Sequence, residues 1–400
     1  MSIMSQTLTV ILAGGRDHRL SPIMSGKPKP LVPFGGAFSI LDFTLSNCLN
    51  SDVERAYVLT QYKSTSISRY VESSAWKTDL LCLPPRFSNA HRGTADSLYQ
   101  NLDLIRSRGI EYVLILTADH IYKMNYNRLV RFHASHGGDA TIAAVQHPRQ
   151  SSSETELLEV NQQGQITGFQ QKPNPSNTLA SMGVYVFNAS ALIKALLREA
   201  GSFAGNHDFE RDILPKLISS DRVFAYDFTE HDSGLGGYCR SLSTIDEYHR
   251  AQMEILAMNS AFDPYQDARW PIYAGGRPAF SSVTSDPRHL ILDSIISADA
   301  ETSGTAIIQS VISPGAKVGA GANIAASVLM RGARVGRGAQ IRRAIICEGV
   351  FIPEGERIGF NAADDRGRFL VTENGVTIVH SINVRRLQRE SIPVQIARSA

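Results

Sequence analysis

The sequence has no long run of basic or acidic residues, few cysteines and no long apolar stretch. Its 40 Lys and Arg residues nearly balance 38 Asp and Glu residues, so the formal net charge is +2 at pH 7. A chain without a strongly basic surface lacks the electrostatic footprint of a protein that binds nucleic acid or an anionic membrane. We therefore expect no nucleic-acid partner and no membrane partner, and any anion should bind at a local site.

The four cysteines give no sign of a metal site or of disulfide bonds. Cys48, Cys82, Cys239 and Cys347 lie far apart and match neither a ligand spacing nor a disulfide framework. The stretch LTVILAGG near the N-terminus is too short, and too soon interrupted by glycine, for a signal peptide or a membrane span. Together these features predict a cytoplasmic protein.

What the sequence does contain is an alternation of short β-branched runs with longer amphipathic stretches, through the first 250 residues. The candidate strands are LTVILA, RAYVLTQY, EYVLILTAD and ATIAAVQ, and GTADSLYQNLDLIRSR is a candidate helical segment. This pattern is typical of a Rossmann-like α/β domain with a mostly parallel sheet. Such sheets bind ligands beyond the carboxyl ends of their strands, so AGGRDHR and Asp119 should face one crevice.

The last hundred residues contain an internal repeat. Four sets of residues recur every 17 positions: Val311, Val328 and Ile345; Val318, Val335 and Ile352; Ile324, Ile341 and Ile358; and Gly315, Gly332 and Gly349. Within a repeat, aliphatic residues also stand six positions apart. These spacings predict a hexapeptide β-helix, and accidental spacing in a β-sandwich is the alternative.

The composition changes between these two halves, and the change predicts the domain boundaries. The segment MNSAFDPYQDARWPIYAGGRPAFSSVTSDP is rich in Pro, Gly and Ser, as a surface linker is. We predict a first domain at 1–258, a linker at 259–288, a β-helix at 289–375 and a C-terminal tail at 376–400.

The segment after the first strand has the composition of a phosphate site. Backbone N–H groups of glycines approach phosphate oxygens closely, and Arg side chains add charge-assisted hydrogen bonds. Gly14, Gly15, Arg16, Arg19 and Lys29 therefore suit a triphosphate, although a glycine pair by itself is more often only a turn. Asp119 either binds a cationic group in the same crevice or caps the next segment.

Eight segments carry a resemblance to a known family: LAGGRDHRL, KPLVPFGGAFSILDFTLSNCLNS, TQYKS, RGTADSLYQNLD, ADHIYKMNY, SMGVYVF, HDFERDILP and WPIY. Over nearly its whole length the chain resembles the ADP-glucose pyrophosphorylases, or glucose-1-phosphate adenylyltransferases, which supply ADP-glucose for bacterial glycogen synthesis. The resemblance implies a nucleotidyltransferase domain with a GT-A-like mixed sheet, followed by a left-handed parallel β-helix.

The resemblance also implies a role for each matching residue. Nucleotide binding would fall to Gly14, Gly15, Arg16, Arg19, Lys29, Gln61, Arg92, Gly93, Thr94 and Asp96. Sugar-phosphate binding would fall to Lys172, Ser181, Met182 and Gly183. Asp119 would hold Mg²⁺, and Arg16, Asp119 and Lys172 would be the catalytic residues. The implied reaction is attack of glucose 1-phosphate on the α-phosphorus of ATP, with release of pyrophosphate.

The chain departs from the family pattern at the crevice. Ser241 stands at the position of the second metal carboxylate, and Asp17 stands where glycine is usual. Further departures in the same pocket are His91, Ala118, Thr155, Glu156 and Gln171. One carboxylate holds Mg²⁺ less firmly than two, and Asp17 would repel a phosphate by on the order of a few kcal/mol. These departures predict impaired catalysis.

Two functions therefore remain open. The chain is either an adenylyltransferase with reduced activity or a weakly catalytic or non-catalytic regulatory subunit. Such a subunit would bind nucleotide or sugar phosphate and modulate an active homologous partner. A preference for UTP or GTP would instead indicate another nucleoside diphosphate sugar.

The resemblance bears on regulation and assembly as well. Cations at Lys27, Lys29, Arg385, Arg386 and Arg389 form either an anion site for a phosphorylated-sugar effector or a solvated surface, and the positions Ala37 and Ser39 lack the family's usual cations. Family members are tetramers, so a homo- or hetero-tetramer is expected.

Overall fold

A computed structural model describes residues 2–15, 18–86, 91–146, 157–170, 179–202, 205–231, 237–257, 262–279, 281–283, 290–302 and 304–380. Several residues singled out in the sequence lie outside these ranges: Arg16, Asp17, Thr155, Glu156, Gln171, Lys172, Arg385, Arg386 and Arg389. Within the ranges, no helix has the length and apolar character that crossing a membrane requires.

The first domain contains a nine-stranded mixed sheet with helices on both faces. Its strands, with three short pairs outside the large sheet, are β1 (Thr7–Leu12), β2 (Pro33–Phe34), β3 (Phe38–Ser39), β4 (Arg55–Leu59), β5 (Asp79–Leu83), β6 (Tyr112–Thr117), β7 (His120–Tyr122), β8 (Ala140–Gln146), β9 (Leu157–Val160), β10 (Ile166–Gln170), β11 (Leu179–Asn188), β12 (Val223–Asp227), β13 (Cys239–Ser241), β14 (Tyr273–Ala274) and β15 (Arg277–Pro278).

The helices are α1 (Ser21–Met24), α2 (Ile40–Asn50), α3 (Ser64–Ser73), α4 (Thr94–Tyr99), α5 (Leu102–Ile105), α6 (Tyr126–His136), α7 (Ala189–Ala200), α8 (Leu214–Ser220), α9 (Phe228–His231), α10 (Ile245–Glu254) and α11 (Ala362–Arg368). Short 3₁₀ turns cover Ile3–Gln6 and Lys29–Leu31, and a π-helical turn covers Phe209–Ile213.

The strand order β10-β9-β11-β6-β1-β4-β5 explains where a ligand site can form. β6, β1, β4 and β5 run parallel, whereas β11 pairs antiparallel with β6, β8 and β9. Successive side chains of β6 enter opposite cores: Val113 and Ile115 pack on one face and Leu114 and Leu116 on the other. The segments that follow β1, β4 and β6 therefore leave the sheet at one edge.

The candidate helical segment GTADSLYQNLDLIRSR forms two short helices, α4 and α5, with a break at Gln100 and Asn101. Both side chains at the break turn back to α4: Gln100 Nε2 donates to Asp96, and Asn101 Nδ2 donates to the Ser97 carbonyl. Such local side-chain hydrogen bonds compete with helix continuation, which explains the interruption.

The C-terminal domain is a three-sided parallel β-helix, consistent with the hexapeptide β-helix that the repeat predicts and with the left-handed β-helix that the resemblance implies. Its strands are β16 (Ser281–Val283), β17 (Leu290–Leu292), β18 (Ile295–Ser297), β19 (Glu301–Thr302), β20 (Ala306–Ile308), β21 (Val311–Ile312), β22 (Lys317–Val318), β23 (Asn323–Ala325), β24 (Val328–Leu329), β25 (Arg334–Val335), β26 (Gln340–Arg342), β27 (Ala344–Ile346), β28 (Phe351–Ile352), β29 (Arg357–Ile358), β30 (Leu370–Val371) and β31 (Thr377–Val379). The ladders pair residues that are 17 positions apart, such as Val311 with Val328 and Val328 with Ile345. Three of the four repeating residue sets thus stack directly on one another along the three sheets.

Strands on either side of the predicted boundaries join this β-helix. β16 pairs with β18, and β31 pairs with β27. The linker residue Trp270 is buried and its indole Nε1 donates to Asn47 Oδ1 at 2.8 Å. The predicted bounds of linker, β-helix and tail stay predictions.

The two domains share a continuous hydrophobic core and several polar contacts. Lys27, two residues before Lys29, forms an ion pair with Glu348 of the β-helix. From α10, His249 Nε2 contacts the Ala326 carbonyl oxygen at 2.8 Å. Asp246, also on α10, accepts a hydrogen bond from Thr372 Oγ1 at 2.6 Å.

Asp42 is a fully buried carboxylate that holds three segments together at the start of α2. It accepts hydrogen bonds from the Ser39 and Gly275 backbone N–H groups and from the Tyr70 hydroxyl. Burial raises the pKa of Asp42 to about 6, although these hydrogen bonds act in the opposite direction.

This raised pKa predicts a pH dependence of stability. Between about pH 4 and pH 6 the folded chain retains a proton that the unfolded chain releases, so the contribution of Asp42 to folding stability falls as pH rises. Relative to Asp42→Asn, we expect the free energy of unfolding of the wild type to decrease over this window by up to about 3 kcal/mol. Urea unfolding of both proteins between pH 4 and pH 7 measures the two free energies of unfolding. A free energy of unfolding of the wild type that rises with pH relative to that of Asp42→Asn would contradict the prediction.

Candidate active site

The predicted crevice lies at the carboxyl ends of β1, β4 and β6. Gly14 and Gly15 follow β1, Gln61 follows β4, and Asp119 follows β6. The glycine turn packs tightly on the neighbouring segment, because a Cβ on Gly14 would lie 3.2 Å from the Gln61 Cβ. Gly15 has open space on its Cα, which leaves room for a ligand.

A cavity of about 520 Å³ opens beside this turn. Its lining comprises Leu12, Gly14, Gly15, Leu59, Gln61, Tyr62, His91, Arg92, Gly93, Thr94, Ser97 and Asp208. Six residues predicted to bind nucleotide thus meet here, namely Gly14, Gly15, Gln61, Arg92, Gly93 and Thr94. Their assignment to a nucleotide stays a prediction.

Two other predicted nucleotide residues take different positions. Asp96 is buried under the loop that lines the cavity, and it accepts hydrogen bonds from the Arg92 N–H and from Gln100 Nε2, both at 2.9 Å. Arg19 is exposed beyond the glycine turn, and neither side chain is among the cavity residues above. Asp96 therefore fixes the loop that carries Arg92, Gly93 and Thr94.

His91 and Asp208 extend the cavity lining beyond the residues predicted for binding. His91 is 6% exposed and its Nε2 has no hydrogen-bond partner in the described structure. Burial lowers the pKa of His91, so its ring is neutral at pH 7. Asp208 accepts hydrogen bonds from Thr94 Oγ1 at 3.2 Å and from the Glu210 and Arg211 N–H groups of the π-helical turn, so it joins distant parts of the chain at the cavity wall.

Asp119 is the charged centre at the end of β6. Its Oδ2 lies 3.5 Å from the ammonium of Lys29, which is itself buried, and its Oδ1 lies 2.7 Å from His120 Nδ1. Burial alone would raise the pKa of Asp119, but His120, Lys29 and the Thr117 hydroxyl together hold it well below its usual range. The carboxylate is therefore ionised at neutral pH, and its side chain is 35% exposed, which leaves it accessible to a ligand.

Ser241 lies beside Asp119, where the resemblance expects a second carboxylate. β13 pairs with β7 so that Ser241 stands opposite His120, and the next backbone N–H, of Leu242, donates to the Asp119 carbonyl oxygen at 3.3 Å. The Ser241 hydroxyl bonds to the Ser243 hydroxyl at 2.6 Å.

The nearby carboxylates Asp246 and Glu247 do not replace the missing one. Asp246 is engaged by Thr372 of the β-helix, and Glu247 caps α10 by accepting from the Ser243 and Thr244 N–H groups. The carboxylate of Glu247 is therefore engaged in the cap of its own helix.

The donor set at Asp119 fits a Mg²⁺ ion that is held largely by the phosphates of its substrate. Mg²⁺ binds through one or two carboxylates together with phosphate oxygens and water. Asp119 supplies one carboxylate and Ser241 a hydroxyl, and the described residues include no cluster of three His, Cys, Asp or Glu side chains suited to a metal. At the β7–β13 pair of the described structure, Asp119 thus offers the one carboxylate.

Three of the four residues predicted to bind sugar phosphate, Ser181, Met182 and Gly183, lie on β11 beside the end of β6, and the fourth, Lys172, lies outside the described residues. Gly183 has a φ of +68°, and a Cβ there would lie 2.2 Å from Thr117 Oγ1, so only glycine fits. Ser181 contacts the Tyr185 hydroxyl at 3.3 Å. The Met182 side chain is buried in the core, so a ligand could meet only its backbone.

The π-helical turn supplies Glu210, which sequence reasoning missed. Its carboxylate accepts a hydrogen bond from the Tyr185 hydroxyl at 2.6 Å. Burial raises the pKa of Glu210, the Tyr185 bond lowers it, and the charges of Asp119 and Asp208 raise it further. The motif HDFERDILP contained this residue, but nothing in its spacing marked Glu210 as part of a site.

Comparisons with known proteins agree with this architecture. A family model described as "Nucleotidyl transferase" matches residues 8–257, and one described as "GlmU-like, C-terminal hexapeptide" matches residues 278–379. A protein of Rhodopirellula baltica named glucose-1-phosphate adenylyltransferase is 39% identical over 405 aligned positions, which cover 94% of this chain and 90% of that protein.

Two further proteins with the same name are similar over the same extent. The one from Methylococcus capsulatus is 36% identical, covering 94% of this chain and 93% of its own length. The one from Yersinia pseudotuberculosis is 38% identical, covering 94% of each chain.

Proposed function

Because the chain belongs to the nucleotidyl transferases and, among them, to the glucose-1-phosphate adenylyltransferases, we propose that it binds ATP and glucose 1-phosphate and forms ADP-glucose for glycogen synthesis. An oxygen of the sugar phosphate attacks the α-phosphorus of ATP. The bond from that phosphorus to the bridging oxygen of the β-phosphate breaks, and pyrophosphate leaves with the electron pair.

The chain's contribution is positioning and charge. The cavity beside Gly14 and Gly15 would receive the nucleotide, with backbone N–H groups toward its phosphates. Lys29 would offset negative charge in the transition state, while His120 orients Asp119. Mg²⁺, held by Asp119 and the substrate, would neutralise charge on the phosphates. The assigned roles of Arg16 and Lys172 rest on the resemblance alone.

We further propose that transfer is slow in the isolated chain. The observation that carries this proposal is Ser241 beside Asp119, where neither Asp246 nor Glu247 supplies a second carboxylate. A metal bound through one carboxylate is held less firmly and its coordination is less fixed. Binding of nucleotide and sugar phosphate depends on other residues and should persist.

The purified chain tests this proposal directly. With ATP, glucose 1-phosphate and Mg²⁺, we expect a turnover orders of magnitude below the enzyme median of about 10 per second. Asp119→Asn should remove the remaining activity. Turnover near the median would contradict the proposal that catalysis is impaired. A preference for UTP or GTP over ATP would mean that the product is another nucleoside diphosphate sugar and not ADP-glucose.

The second candidate function is a regulatory subunit, which the Ser241 site favours equally. Such a chain would assemble with an active homologue into a tetramer of the kind that the family forms. A cavity of about 430 Å³ between the domains, with Lys27, Arg69 and Arg331 in its lining, could receive a phosphorylated-sugar effector. Co-purification with a homologous subunit, and a change in that subunit's activity on mixing, would support this function.

A further inference from the structure

Glu199 is a carboxylate that the fold retains in an unfavourable place. It lies in the last turn of α7, and it is 3% exposed. The helix dipole places partial negative charge at this end of a helix, and a buried carboxylate loses its hydration, so both features act against a charge here. Its partner is His207, which is also buried and whose Nδ1 lies 2.7 Å from Glu199 Oε1. A carboxylate oxygen accepts hydrogen bonds, so Nδ1 of His207 is the donor.

The pair holds His207 in an uncommon backbone conformation. His207 has a φ of +53°, in the left-handed region that residues with a side chain seldom adopt. Such a conformation persists where surrounding contacts determine it. The hydrogen bond to Glu199 fixes the imidazole, and Gly205 leaves room for the pair, because a Cβ there would lie 3.1 Å from Glu199 Oε1. Glu199 therefore helps to set the path of the chain at His207.

That path supports the wall of the cavity beside the glycine turn. The His207 carbonyl oxygen accepts a hydrogen bond from the Ala95 N–H at 2.9 Å, at the start of α4, where the N-cap residue Gly93 has no side chain that could accept it. Two residues further on, the Phe209 N–H donates to Thr94 Oγ1 at 2.8 Å. Gly93 and Thr94 line the cavity, so a shift of the backbone at His207 would displace both of them.

We propose that Glu199 is a positioning residue of the nucleotide site, acting through His207 on the part of the cavity wall that Gly93 and Thr94 form. Glu199 is not one of the cavity-lining residues and takes no part in the chemical step. The inference rests on the proposed function, because it takes ATP as the ligand of this cavity. It adds that the affinity for ATP depends on a hydrogen bond outside the cavity.

Three substitutions of Glu199 test this role by calorimetric titration of the whole chain with ATP and Mg²⁺. Glu199→Ala removes the acceptor, and we expect ATP to bind about 3- to 30-fold more weakly. Glu199→Asp retains the charge but is one methylene too short to reach His207 in place, so ATP should bind more weakly here too. Glu199→Gln loses the charge but retains an oxygen at the right distance, and its affinity should stay within about threefold of the wild type. A role of the charge itself would reverse the order of the last two variants.

A matched control separates positioning from a general loss of stability. His133 is also a buried histidine with polar partners, Thr141 and Asn188. Asn188 is the last residue of β11, which pairs there with the start of β6, away from the crevice. His133→Ala should lower the melting temperature and leave the affinity for ATP within about twofold. Hydrogen exchange measured by mass spectrometry should be faster in peptides that contain Ala95 in Glu199→Ala and Glu199→Asp, and unchanged in peptides of the β-helix.

The outcomes that overturn this role differ from the one that overturns the function. Wild-type affinity for ATP in Glu199→Ala and Glu199→Asp would overturn the role and leave the proposed function standing, and so would an equal loss of affinity in His133→Ala. If Glu199→Ala does not fold, the other two variants decide, and weaker binding of ATP in Glu199→Gln than in Glu199→Asp would overturn the role. A wild-type chain that binds no ATP would overturn the proposed function together with it.

Discussion

Replacing Ser241 by Asp is expected to raise the turnover of the isolated chain with ATP and glucose 1-phosphate by about 10- to 1000-fold. Position 241 lies opposite His120 in the β7–β13 pair, and the backbone N–H of the next residue, Leu242, donates to the Asp119 carbonyl oxygen. A carboxylate at this point adds the second negative charge that fixes a divalent cation on the substrate phosphates. Combining the change with Asp17→Gly should increase the rate further, because it removes a negative charge next to Arg16.

The same substitution should have a signature that does not depend on activity. Without a cation, the introduced carboxylate and Asp119 would repel each other, and the hydroxyl bond between Ser241 and Ser243 would be lost. The variant should therefore unfold at a lower temperature than the wild type in chelator and regain stability on addition of Mg²⁺ or Mn²⁺. Ser241→Asn, which has the same shape and no charge, is the control and should show neither effect. An Asp variant no faster than this control would refute the proposed cause of slow transfer.

Replacing Gly93 by Ala is expected to abolish nucleotide binding and to destabilise the first domain. A Cβ at this position would lie 2.2 Å from the carbonyl oxygen of His207 and 2.7 Å from that of Asn206. Both contacted atoms belong to the backbone, so the segment that carries Gly93 and the segment 206–207 would have to move apart. Asp208 and Thr94, which line the cavity from either side, would lose their mutual contact. We expect a loss of about 3 kcal/mol or more in stability.

Gly15→Ala is the matched control for this prediction, because it lies in the same cavity lining but has open space around its Cα. Its melting temperature should equal that of the wild type, whereas a Cβ there would hinder the approach of phosphate to the backbone. Thermal melts and ATP titrations of the two variants therefore separate damage to the fold from damage to the site. Equal melting temperatures in Gly93→Ala and the wild type would show that the contact is more pliable than the structure indicates.

The sequence predicts the fold well where the signal is local or periodic. The runs RAYVLTQY and EYVLILTAD contain β4 and β6, and the 17-residue repeat matches the ladder register of the β-helix. Asp119 is predicted at the carboxyl edge because it directly follows an apolar strand, and the structure places it there. Each of these inferences needs only neighbouring residues or a fixed period.

The contacts that complete the site cannot be predicted from the sequence in this way. The Thr94 hydroxyl meets Asp208 across 114 positions of sequence, and Lys29 meets Asp119 across 90. No local pattern specifies such pairs, since they follow from the order of strands in the sheet. Glu210 was missed for the same reason: its partner Tyr185 lies on another element, and only their packing brings the two together.

The contacts between the domains have a consequence for control of the site. The β-helix makes polar contacts with the first domain at Lys27, just before Lys29, and at Asp246 and His249, just after Ser241. The first stretch leads to Lys29, which pairs with Asp119, and the second follows Ser241, which lies opposite His120. A neighbouring subunit that docked on the β-helix and tilted it slightly would therefore shift both stretches around Asp119 together, without touching the substrates.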